Sequence, residues 1–276
     1  MLSLHTNAAS LFTKSNLNTS QNSLTTSMTR LGTGYRINSS QDDAAGLQIA
    51  TRLEAQSRGM TVAMKNAQNG ISLLQTADGA LSEVSNIMLR MKDLATEAST
   101  ATATAADKTA MKAEFDALGA EITNIMTNTK FGGEALLTGG KLAAAMKFQV
   151  GATAAEAYTF NASADLTAIG TANTALIAGD LSIADPSAVI ALADTAVAAV
   201  GTLRSSIGAG ANRLNHISNN LANVNNNTQI AKSRIMDTDY ANETANMTSR
   251  QMLMQAGTSM LKQSGSIGQL AMSLMQ

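Results

Sequence analysis

Both ends of this chain read as long helices that carry almost no charge, and neither can bury its apolar stripe by folding back on itself. Residues 1 to 41 contain no Asp or Glu and only Lys14, Arg30 and Arg36, while Leu4, Ala8, Leu11, Leu17, Leu24, Met28 and Leu31 recur at helical spacing. At the far end Leu253, Met260, Ile267 and Leu274 fall on every seventh residue, flanked by Met254, Leu261 and Met275, and nothing after Lys262 ionises. A surface helix in water normally shows a Lys/Glu face; helices faced with Ser, Thr, Asn and Gln are built to pack against other protein. Leu4, Leu11, Leu17, Leu24 and Leu31 at the front, with Leu253, Met260, Ile267 and Leu274 at the back, are therefore the candidate contacts between copies of the chain.

The formal net charge of −1 on 276 residues gives no field for gathering nucleic acid and suits a molecule that must approach its own copies. With no Cys, no Trp, five Phe and sixteen Met, a core has to be made from Ala, Leu, Ile, Val and Met, which favours helix-on-helix packing. The absence of Cys also removes disulfides, thiolate metal sites and Cys nucleophiles. The first residues lack the basic and continuous apolar regions of a cleaved secretory signal, and no uninterrupted apolar run approaches the ~20 residues that span a bilayer, so neither a cleaved signal nor a membrane partner is expected.

The spacing predicts a first helix over 3–32, stopped by Gly32 and Gly34. Ser40-Gln41-Asp42-Asp43 fits a capping box for a second helix, in which Leu53, Met60, Ala67, Leu74, Leu81 and Met88 hold one heptad position and Ile49, Ala63, Ala77, Val84 and Met91 its partner. This helix is expected to run on to the Ala/Thr stretch at 100–106. Gly46, Gly59, Gly70 and Gly79 each cost ~1 kcal/mol in its interior, which points to close approach of neighbouring backbone there.

Asp107 is read as the cap of a third helix with Met111, Phe115, Leu118, Ile122 and Ile125 on one face, ending near Thr129. The glycines from Gly132 to Gly151 mark a β-hairpin region within 131–165, and 152–184 reads as patternless exposed connection. Asp185-Pro186 starts a second long heptad run, with Val200, Ile207, Leu214, Leu221 and Ile235 on one position and Val189, Ala196, Leu203, Ile217, Val224 and Ala231 on the other. The expected fold is mainly α: long antiparallel helices forming a coiled-coil rod over 42–235 with a small β-hairpin, and paired terminal helices over 1–41 and 236–276. Residues between the halves are too few for a large outer domain.

Chemistry finds little footing. His5 and His216 are the only histidines and lie on different helices, so neither a metal site nor a His-based triad is expected. The glycines from Gly133 to Lys141 miss the phosphate-loop pattern, since its first position is Ala135 and its last Leu142. Asp42-Asp43 is better explained by the helix dipole than by acid/base work. No cofactor is implied and no enzyme is expected, for want of a nucleophile with a base and an orienting group. Arg90, Leu94 and Glu97, at i, i+4 and i+7, read as a stripe turned away from the Met88/Met91 seam.

The run from Leu31 through Asn38-Ser39-Ser40-Gln41-Asp42-Asp43-Ala44-Ala45-Gly46 to Ala50 resembles the signature near the start of bacterial flagellins. Asn212-Arg213-Leu214, Ser233-Arg234-Ile235-Met236-Asp237-Thr238-Asp239-Tyr240-Ala241 and Gln251-Met252-Leu253-Met254-Gln255-Ala256-Gly257 resemble its C-terminal signature. The resemblance covers roughly 1–140 and 200–276. It departs at the last residues, where flagellins commonly carry a Pro-containing segment and a terminal Arg, and the opening residues are similar to lateral-type flagellins.

This resemblance implies a subunit that polymerises with itself into the extracellular flagellar filament for motility, leaving the cell through the flagellar type III apparatus without a cleaved signal. It also implies a flagellar export chaperone, cap and hook-associated proteins as partners. In the family, a stripe matching Arg90, Leu94 and Glu97, with Glu114 on the next helix, is read by an animal innate immune receptor; Gln is usual where Glu97 stands. A hook–filament junction protein is the alternative, and a coiled-coil signalling or adaptor rod the more distant one.

Overall fold

In the computed structural model, residues 7–181 and 186–273 are described, with side chains as far as residue 266. The elements in chain order are α1 (Ala8–Thr33), α2 (Ala44–Ala98), α3 (Ala105–Asn128), β1 (Lys130–Phe131), β2 (Glu134–Ala135), β3 (Met146–Gln149), β4 (Ala157–Phe160), α4 (Ser163–Ile177), α5 (Ser187–Met236) and α6 (Tyr240–Ser273). Two compact units result, one of Met1–Ala55 with Asn227–Gln276 and one of Gln56–Asn226. The division falls inside α2 and α5, and Glu54 and Lys232 pair within the first unit at 2.5 Å.

In the second unit α2 and α5 run antiparallel. As the α2 partner advances from Ser57 through Asp78 to Lys92, its mate on α5 retreats from Asn225 through Arg204 to Asp194, at 2.7, 2.9 and 2.5 Å. The heptads meet between them: Ala67, Leu74, Ala77, Leu81, Val84, Met88 and Met91 pack with Val189, Ala196, Val200, Leu203, Ile207 and Leu214 in one core. Part of α5 is apolar and long enough to cross a membrane by composition, beyond what a count of uninterrupted apolar residues suggests. Its Val189, Ala193, Ala196, Val200, Leu203 and Ile207 lie in this core.

The helices differ from the sequence reading at three places. α2 starts one turn later than a Ser40 cap requires: Asp43 Oδ1 accepts from the Gly46 N–H at 2.8 Å, while Asp42 folds the preceding turn by accepting from the N–H groups of Asn38 and Ser39. α2 also stops at Ala98, because Thr104 and Asp107 form a capping box that begins α3; Asp107 is its third residue and not its cap. The third difference is α4, which occupies residues expected to be loose connection. Ala and Thr hid its pattern, yet Leu166, Ile169, Ala172 and Leu176 line one buried face. Asp185 lies outside the described residues.

The hairpin region holds two short sheets. β1 and β2 join through Gly132 and Gly133, whose φ of 61° and 88° suit the two central positions of a tight hairpin turn that L side chains avoid. β3 and β4 pair in register from Met146 with Phe160 to Gln149 with Ala157. Their aromatic rings rest on helix glycines: a Cβ at Gly70 of α2 would stand 2.9 Å from Phe148, and one at Gly210 of α5 2.8 Å from Phe160. Gly59 likewise admits the Ala152 backbone, whereas Gly79 faces open space and gains nothing from lacking a side chain.

Candidate functional site

The first unit pairs the two terminal helices. Asn7 caps α1 and also donates from its side chain to the Ser264 backbone carbonyl at 3.0 Å; Leu17 lies by Gly257, Ser27 donates to Glu243, and Gly34 lies by the Tyr240 hydroxyl. The partner number falls as the α1 number rises, so the pairing is antiparallel. Gly34 ends α1 with a φ of 75°, its N–H returning to the Arg30 carbonyl, and an isolated bridge between Tyr35 and Asp237 fastens this end. Asp239 opens α6 by accepting from the N–H groups of Asn242 and Ala241, which hold its carboxyl below the usual carboxylate range.

The inward faces follow heptad spacing, with Ser23, Arg30 and Ser266 also half-buried beside it. On α1 they are Ser10, Thr13, Leu17, Ser20, Leu24, Ser27 and Leu31; on α6 they are Glu243, Met247, Arg250, Met254, Gly257, Leu261 and Ser264. More than half of this seam is small or polar. Glu243 is buried between Ser27 and Arg30, with an Arg30 nitrogen 3.7 Å from its carboxylate. Leucines alternating with small polar residues can hold two helices together, but they bury little apolar area per turn.

This assigns the interface candidates to different faces. Leu24 is buried against the partner helix of its own chain, and Leu17 and Leu31 are half-buried in the same seam, so these three serve the pairing of α1 with α6 rather than presenting a free surface. The heptad line of α6 points the other way: Leu253 and Met260 are 52% and 66% exposed, while their flanking neighbours Met254 and Leu261 turn inward. On α1 Leu11 is 64% and Phe12 70% exposed. Phe12 had no place in the sequence reading because it is off the leucine spacing. Leu4 and Leu274 lie outside the described residues, as does the side chain of Ile267.

A second set stands in the other unit. Arg90 donates from Nε and a terminal nitrogen to one carboxylate oxygen of Glu114, at 3.0 and 2.8 Å, which raises the Arg90 pKa. Arg90, Leu94, Glu97 and Glu114 line one groove between α2 and α3 with Met111, Thr102 and Asp107. The groove corrects the reading of Leu94 as part of an outward stripe. With only 2% of its surface exposed it belongs to the core with Met91, Ala95 and Phe115, since α3 folds back over it. His216 is exposed on α5, and His5 is outside the described residues.

One unit is a helical pair with a thin seam and outward apolar residues, and the other a well-packed antiparallel bundle, which defines a helical protein that leaves apolar surface uncovered on its terminal helices. Profiles of known families match it: the bacterial flagellin N-terminal helical region over residues 4–142 and the bacterial flagellin C-terminal helical region over 190–275. The chain belongs to the bacterial flagellin family, the structural subunits of the flagellar filament.

Polar flagellin C of Vibrio parahaemolyticus is 34% identical, and flagellin A of Vibrio anguillarum 32%, each aligned over the whole of both chains. The first alignment runs over 384 positions against 276 residues here, so that relative carries sequence this chain lacks. Among solved structures, the chain is similar to Bacillus cereus flagellin, with 31% identity and a TM-score of 0.50 over 57% of this chain and 88% of that one. A putative flagellar hook-associated protein from Vibrio parahaemolyticus shares the fold at 17% identity and a TM-score of 0.50, covering 71% of this chain and 97% of that one.

Proposed function

We propose that copies of this flagellin meet through the outward faces of α1 and α6, with Leu11, Phe12, Leu253 and Met260 as contacts, and that Leu4, Ile267 and Leu274 take part in the same assembly. The observation that carries this reading is the exposure of four large apolar side chains on helices whose seam is half polar. Burying each such side chain is worth about 1.5–3 kcal/mol, which a neighbouring copy supplies and water does not. The role is mechanical and non-enzymatic. The filament lies outside the cell, reached by type III export without a cleaved signal, and the chain meets an export chaperone, cap and hook-associated proteins on the way; family membership supports this.

The test is seeded growth. Leu253→Asp should leave the thermal melting of the monomer unchanged, because exposed substitutions shift stability by only about 0.5 kcal/mol, and should stop elongation of filament fragments seen by electron microscopy. Normal elongation would refute this surface as the contact.

The groove of Arg90, Leu94, Glu97 and Glu114 supports a second reading, recognition by an animal innate immune receptor. Its support is that the four residues line one concavity between α2 and α3. Binding of purified receptor ectodomain to wild type and to Glu97→Gln tests it, and equal absence of binding by both would dismiss it.

A further inference from the structure

The sulfur of this protein is distributed in an informative way. There is no Cys, so methionine is the only thioether or thiol that a two-electron oxidant can reach. Sixteen Met are present, and among the described side chains the exposed ones are Met28, Met252 and Met260, at 50%, 60% and 66%. All three sit on α1 and α6. In the second unit Met60, Met88, Met91 and Met126 are between 0% and 5% exposed, packed in the hydrophobic clusters, and Met64, Met111 and Met146 are half-buried.

We propose that Met28, Met252 and Met260 are oxidation sites through which a hydroperoxide blocks assembly of the free subunit while leaving its bundle folded. This rests on the outward faces of α1 and α6 being the contact surface. The thioether sulfur attacks one peroxide oxygen, the O–O bond breaks, and the second oxygen leaves with both protons as water. Sulfur is oxidised to the sulfoxide, and hydrogen peroxide is the oxidant consumed. Susceptibility follows access, so the three exposed residues react before the buried ones.

The product replaces a flexible apolar side chain with a polar, chiral one. On Met260, or on Met252 beside Leu253, an S=O group brings an acceptor that a dry contact between apolar faces leaves unpaired, and an unpaired acceptor opposes burial. A subunit already in a filament has this surface covered, so the modification acts on chains before incorporation. Reduction of the sulfoxide by a methionine sulfoxide reductase restores the original surface.

The experiment treats full-length monomer with hydrogen peroxide, maps sulfoxides by peptide mass spectrometry, and follows elongation of untreated filament fragments. Met28, Met252 and Met260 should oxidise at least about tenfold faster than Met88 and Met91, with elongation falling by a similar factor and recovering after reductase. A triple variant, Met28→Leu, Met252→Leu and Met260→Leu, should keep its own untreated elongation rate after peroxide.

Uniform oxidation rates, normal elongation of the oxidised chain, or equal loss in the peroxide-treated triple variant would each overturn the proposal. The Leu253→Asp variant run alongside separates the two ideas. If it fails to elongate while the oxidised chain grows, only the oxidation proposal falls; if it elongates too, the contact surface itself is misassigned.

Discussion

Leu17 of α1 reaches Gly257 of α6 so closely that a Cβ on that glycine would lie 3.0 Å from the leucine Cδ1. The contact makes one layer of the terminal pair a leucine fitted into the space a missing side chain leaves. It also explains why the seam works with so few large residues: where small residues face leucines, the two backbones can approach.

Substitution at Gly257 should therefore depend on size. Alanine gains ~1 kcal/mol of helix propensity and asks a leucine terminus to move slightly, so Gly257→Ala should be close to neutral. Gly257→Ile should weaken the pairing by about 1–3 kcal/mol through overpacking. Circular dichroism melting of the monomer checks both, and Leu17→Ala added to Gly257→Ile should recover part of the loss.

Four glycines of the long helices divide into two classes. At Gly70 and Gly210 an added Cβ meets the rings of Phe148 and Phe160, and aromatic rings cannot shorten, so Gly70→Ala and Gly210→Ala should each destabilise the second unit by about 1–3 kcal/mol. Gly79 and Gly208 are exposed with nothing near, and alanine there should stabilise by ~1 kcal/mol. Denaturant melts of the four variants should therefore move in opposite directions.

Leu94 is buried and Leu89 is 46% exposed, only five residues away on the same helix. Leu94→Ala should cost about 2–5 kcal/mol by opening a cavity, and Leu89→Ala no more than about 0.5 kcal/mol. Any loss of receptor binding by a Leu94 variant then has to be compared with its urea midpoint, whereas Glu97→Gln changes the groove without touching the core.

Carboxylates secure several turns and helix starts. Asp42 is held below its ordinary value of 3.8 mainly by the Ser39 and Asn38 N–H groups, and Asp107 by the Thr104 hydroxyl and N–H. A depressed native pKa means that the stabilisation is complete above the unfolded value and disappears as pH falls through the lower native one. These turns should accordingly stay closed at pH 5 and loosen only in acid below about 3.8, visible as amide shift changes at Asn38, Ser39 and Thr104 in an NMR titration. Asp42→Asn should remove the pH response at Asn38 and Ser39 alone.

Much of the architecture was legible in the chain because it is written in period. The heptads of α2 and α5, the glycine stop of α1 and the two-glycine hairpin each depend on neighbours a few residues apart, where sterics and hydrogen bonding are local. The low charge of the ends already implied partners. α4 escaped because its buried Leu166, Ile169 and Leu176 are set among Ala and Thr, residues equally at home in a loop until a core needs covering.

What the sequence could not decide was direction. Leu24 and Leu253 belong to equally regular stripes, yet one is 6% and the other 52% exposed, because α1 and α6 each carry apolar residues on more than one face and only their pairing selects which is covered. Leu94 similarly stands off the main seam by spacing and is buried all the same, since α3 returns across it. Periodicity fixes which residues share a face of a helix; which face meets protein and which is left to water is settled only when the helices pack, where the area buried by one arrangement outweighs that of the other.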